Sequence, residues 1–139
     1  MLYDEFIGEV QHRAQFDSRE AALSATRATL STLNERIQPG QAENVGAQLP
    51  AELGRHLEKV DEVESFGWDE FVGRMADREE LGSDDRADVV HRSRVVIGVV
   101  DEVVPDSAMA DLKEQLPADY SDLFELQEQE ATVGPDSDD

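Results

Sequence analysis

The chain has 139 residues with 39% hydrophobic side chains, enough for one compact domain or for two small halves sharing a core. Its 33 acidic residues against 12 basic ones give a formal net charge of -21, a surface that repels phosphate and argues against nucleic acid as a partner. Cysteine is absent, which removes disulfides and thiolate chemistry from consideration.

Residues Met1 to Val10 include Asp4, Glu5 and Glu9 and lack both a basic leader and an apolar stretch, so no signal peptide is expected. No apolar run approaches the length of a membrane span, and a cytoplasmic protein without a membrane partner is the expectation. The acidic residues are spread over every segment and not gathered in one patch. That distribution favours adaptation to concentrated salt, where the repulsion is screened within roughly 3 Å at 1 M, over a patch for one basic partner.

Tyr3, Phe6, Ile7, Val10 and Ala14 form one face of a first helix. Asp17 and Ser18, followed by Glu20, are start signals for a long second helix running to about Ile37, with Ala22, Leu23, Thr26, Leu30 and Leu33 on one stripe. Pro39-Gly40 breaks it. A shorter helix through Ala42 and Val45 ends at Gln48-Leu49-Pro50, and a fourth starts at Ala51 with Leu53 and Leu57 inward. An acidic connector, 61–67, follows.

The pattern then starts again. Tyr3-Asp4-Glu5-Phe6-Ile7-Gly8 is answered by Trp68-Asp69-Glu70-Phe71-Val72-Gly73 at an offset of 65. From Asp17 onward the offset is 67, so that Leu30 matches Ile97 and Gln48-Leu49-Pro50-Ala51 matches Gln115-Leu116-Pro117-Ala118. A two-residue insertion near Glu79 to Gly82 accounts for the difference. The reading is a tandem duplication: a first repeat over 1–60, a second over 68–126, and a disordered acidic tail over 127–139. Arg94 to Val104, the most apolar stretch, suits either a buried strand or a helix when taken alone. Its match to the second helix, with Val89, Val96, Ile97 and Val100 on one stripe, selects the helix. The last helix is expected to include Tyr120, Leu123, Phe124 and Leu126.

A half of about sixty residues is marginal alone, so the two copies are expected to bury their long helices against each other. The expected fold is all-α: two tandem four-helix repeats packed into one compact eight-helix domain with approximate twofold symmetry.

The opening Tyr-Asp-Glu-Phe (Tyr3 to Phe6), the Ala-Thr-Arg-Ala of the second helix (Ala25 to Ala28) and the Ala-Gln-Leu-Pro of Ala47 to Pro50 resemble the bacterial and archaeal domain-of-unknown-function family numbered 2267. The likeness runs over roughly residues 1 to 126 and implies an all-helical duplicated fold, with no activity attached. In the second copy, Val-Val-Ile-Gly (Val95 to Gly98) replaces the usual alanine-rich helix.

Chemistry-bearing residues are sparse. Glu9-x-x-His12 and Asp88-x-x-His91 have carboxylate and histidine at di-iron spacing, but both histidines fall opposite their apolar stripes and are expected in water. Asp84-Asp85 and Glu79-Glu80 are expected from abundance, the former opening a helix where negative charge is favourable. There is no Gly-x-Ser-x-Gly and no phosphate-cradling glycine loop. The aromatics Tyr3, Phe6, Trp68, Phe71, Tyr120 and Phe124 lie on apolar stripes and read as core.

The polar feature that stands out is arginine at matching places in both copies: Arg13 with Arg78, and Arg27 with Arg94. Each either pairs with a carboxylate on a neighbouring helix and sets the crossing, or some of them converge on a cleft that holds a carboxylate or phosphate ligand. The expectation is a non-enzymatic helical module that binds another protein or itself, with no metal and no cofactor. The alternative is a binder or sensor of small anionic ligands.

Overall fold

The computed structural model describes residues 1–58, 63–79 and 85–124, and among these the regular structure is helical throughout. In chain order it comprises α1 (Tyr3–Ala14), α2 (Arg19–Arg36), α3 (Pro39–Gln48), α4 (Ala51–Gly54), a 3-10 turn (Arg55–Leu57), α5 (Trp68–Arg78), α6 (Arg86–Val103), α7 (Asp106–Gln115) and a second 3-10 segment (Ala118–Phe124).

The helix ends follow from local chemistry. Ser18 caps α2 by accepting a hydrogen bond at Oγ from the Ala21 N–H, and Asp85 caps α6 by accepting one from the Ala87 N–H. Pro39, expected as a breaker, instead begins α3 at a position where the missing N–H costs nothing. Gln15 closes α1 with φ 58°, a left-handed conformation that an L side chain adopts at some cost.

The most apolar stretch is helical as far as Val103, where α6 ends, and Val104 is its C-cap, so the strand alternative is excluded. Two expected helices are wound more tightly than the pattern suggested. After Pro50 the chain makes one α-turn and continues as 3-10, and after Pro117 it is 3-10 as far as Phe124. Gly54 packs against the Gly46 carbonyl so closely that a Cβ there would collide with it, and this holds α4 against α3.

At 18 residues each, α2 and α6 are about 27 Å long and form the centre. They pack on each other, and each also packs on both α1 and α5. Phe6, Ile7 and Val10 of α1 join one continuous core with Leu30 and Leu33 of α2, Phe71 and Met75 of α5, and Val96, Ile97 and Val100 of α6. Trp68, Phe71 and Tyr120 make an aromatic cluster at one edge, with ring centroids 5.4 to 5.6 Å apart.

Residues 63–67 of the expected connector are pinned. Phe66 is buried, and its carbonyl accepts from Arg36 Nε at 2.9 Å and from Tyr120 Oη at 2.7 Å. The Trp68 N–H donates to Asp119 Oδ2 at 2.9 Å. Residues 61 and 62 of the connector, most of the insertion after Glu79, Glu80, Asp84, Leu126 and the tail over 127–139 lie outside the described residues.

Candidate functional site

The four arginines go to different places. Arg13, near the end of α1, donates from Nε to Glu9 at 2.9 Å and reaches Glu102 of α6 at 2.6 Å. Those bonds, the one to Glu102 foremost, hold its charged form more firmly than usual. Arg78, at the end of α5, bonds Glu35 at 2.6 Å and donates to Thr32 Oγ1 at 2.8 Å, both on α2. Arg94 of α6 donates to the Asp122 carbonyl at 2.6 Å in the second 3-10 segment and stands 3.9 Å from the Asp122 carboxylate. Arg27 is exposed on α2. Its charge acts with Arg55 and with burial to lower the pKa of the half-buried His56, burial being the largest cause.

Three of the four thus hold one element against another, each through its own acceptors. The geometry follows from the helix faces. Arg13 and Arg78 flank the core stripe of short helices whose neighbours carry a glutamate opposite.

Two further arginine sites had no counterpart in the sequence reading. Arg74 of α5 meets Glu35 at 3.0 Å and Glu64 at 2.9 Å, also bonds Glu70, and lies 3.9 Å above the Phe66 ring centroid. With Arg78 on the same carboxylate, Arg74 helps to keep the Glu35 pKa below its ordinary value, the Arg78 bond contributing most. Arg92 bonds Glu79 at 2.9 Å, and the Glu79 side chain is 3% exposed. Burial outweighs that bond and raises the Glu79 pKa. The Glu70-to-Arg74 spacing of four was a legible signal for part of this; the rest comes from helices far apart in sequence.

His12 and His91 are exposed, as their positions opposite the stripes implied. Among the described residues no three His, Asp or Glu side chains are placed to hold a metal ion. Several hollows open on the surface of the described residues, and two of them bear on the arginines. One, of about 590 Å³, lies between α3 and α4 with Leu49 and Leu57 in its wall and Glu43, Arg55 and Glu58 around it. The other, of about 470 Å³, lies at the α1–α2 turn beside Asp88, His91 and Arg92 of α6. Each of these hollows is lined by a single arginine. Among the described residues no helix is long and apolar enough to cross a membrane.

A helical protein whose partly exposed ion pairs join its helices is the class that fold and site define. A family model described as "Uncharacterized conserved protein (DUF2267)" matches residues 3–123, and the chain belongs to that family. Comparison with curated proteins found no match.

Proposed function

We propose that this chain is a non-enzymatic, protein-binding helical module, built from two copies of one four-helix unit about an approximate twofold axis and adapted to concentrated salt. The observation that carries it is where the perturbed groups other than His56 sit. Among the described residues, Glu35 is bonded to Arg74 and Arg78, Glu79 to Arg92, and the Tyr120 hydroxyl to the Phe66 carbonyl. Such groups, turned toward protein partners, are suited to fixing helices and not to general acid or base work on a substrate.

Several correspondences support the duplication. An offset of 67 carries Arg19–Arg36 onto Arg86–Val103, and Pro39–Gln48 onto Asp106–Gln115. The ion pair Arg13–Glu102 has Arg78–Glu35 as its mirror, with the arginines 65 apart and the glutamates 67 apart. Reciprocal contact of this kind is what a twofold interface produces. Arg19–Asp4 and Arg86–Asp69 are likewise equivalent, at 2.6 and 2.8 Å.

Met1 and Leu2 are the large apolar side chains that stand exposed among the described residues. A partner therefore meets a polar, carboxylate-rich surface, and charge and hydrogen bonds set its specificity. The anionic-ligand reading draws less support, because Arg13, Arg78 and Arg94 already have protein acceptors. Affinity capture from native extract at about 2 M KCl tests the proposal under screened charge. A stoichiometric complex that re-forms from the two purified proteins is expected; a chain that stays alone but turns over a small molecule contradicts it.

A further inference from the structure

We propose that the groove between α3 and α4 accepts a lysine side chain of a protein partner, in the manner of Lys113 at the other end of the chain. This deepens the binding-module reading and rests on the duplication.

The offset of 67 carries Gly46, Leu49, Ala51, Gly54 and Leu57 of the groove onto Lys113, Leu116, Ala118, Ser121 and Phe124. Those five residues line a cavity between α7 and the second 3-10 segment, of about 170 Å³ against about 590 Å³ for the groove. The difference lies in the side chains. Lys113 helps to line its own cavity, with Nζ 5.4 Å from the centroid of the Phe124 ring. At the matching place Gly46 has nothing to fold over the groove, because a Cβ there would lie 3.0 Å from the Gly54 carbonyl oxygen and 3.2 Å from Leu57 Cβ. Close packing of α3 on α4 therefore leaves the first groove without the lysine that lines the second.

Charge selects the occupant. Glu43 and Glu58 outnumber Arg55 around the opening, so an anion is repelled and a cation attracted. An ammonium on a four-carbon stem satisfies both parts of the site: the stem lies along Leu49 and Leu57, and the head reaches the carboxylates.

The test is a methyl-detected NMR titration of the full chain with n-butylammonium chloride in about 0.2 M KCl, using n-butanol and sodium butyrate as controls. Saturable shifts of the Leu49 and Leu57 methyls are expected, with n-butanol and butyrate binding about tenfold more weakly and the Leu116 methyls unmoved. The exposed double variant E43Q/E58Q, its fold checked by an unchanged amide spectrum elsewhere, should weaken n-butylammonium binding to the level of n-butanol. Equal response to all three probes, no response, or full binding by the double variant overturns the proposal. Any of these leaves the binding-module reading intact, since the capture experiment judges that separately.

Discussion

Thr26, Thr29 and Thr32 are buried in the middle of α2, each donating its hydroxyl to the carbonyl four residues earlier, at 2.7 to 2.9 Å. A hydroxyl satisfied within its own helix asks nothing of its neighbours, so a threonine can occupy a core position that valine would also fit. At the matching places in α6 stand Ser93, Val96 and Val99, all buried. Thr29→Val should therefore change stability by less than about 1 kcal/mol, whereas Thr32→Val removes the acceptor of an Arg78 N–H and should cost about 1 to 2 kcal/mol, as read from urea midpoints. Glu35 and Glu79 respond oppositely to acid. The Glu35 pKa is lowered, so its contribution is present above the ordinary carboxylate range and is lost as pH falls; the raised pKa of Glu79 gives a contribution present at low pH and lost as pH rises. Glu35→Gln should flatten the loss of stability between neutral and acidic pH, and a urea midpoint that falls as steeply in the variant as in the parent would refute it. The Tyr120 phenol, buried beside the Phe66 carbonyl, has its pKa pushed up to about 12. Its contribution is complete below the ordinary phenol value and is lost as pH rises toward about 12, so the Tyr120 absorbance change should come well above the ordinary phenol range in an alkaline titration, and a change at the ordinary value would contradict it.

At the scale of elements, apolar period and capping chemistry were readable from the sequence because both are local. The stripe of α2 settled the helical character of α6, and Ser18 and Asp85 cap where the start signals placed them. The 3-10 winding after Pro50 and Pro117 was not readable, because it depends on how α4 meets α3 at Gly46 and Gly54. The arginines were legible as positions but not as partners: the bonds from Arg13 to Glu102 and from Arg78 to Glu35 join residues far apart in sequence. These pairs hold α1 to α6 and α5 to α2. Both are partly exposed, so each should couple by about 0.5 to 1 kcal/mol in a double-mutant cycle. Arg13→Glu should destabilise, and adding Glu102→Arg should recover most of the loss; if the double variant is no better than the single one, the pair does not hold the helices.

At the scale of the molecule, two properties remain: the shared core and the surface charge. A formal charge of -21 on 139 residues makes self-repulsion a general destabilising force that salt relieves. The thermal midpoint should therefore rise between dilute buffer and about 2 M KCl, and an unchanged midpoint by circular dichroism would count against salt adaptation.

α2 and α6 share one interior, and neither half of the chain is expected to stand without the other. Native-state hydrogen exchange on the full chain and on Ile97→Ala tests this directly. Ile97 is fully buried in α6, and its truncation should cost about 2 to 5 kcal/mol. If the halves form one cooperative unit, the most protected amides of α2 lose the same free energy as those of α6. Protection of α2 that stays at the parent level while α6 opens would contradict it.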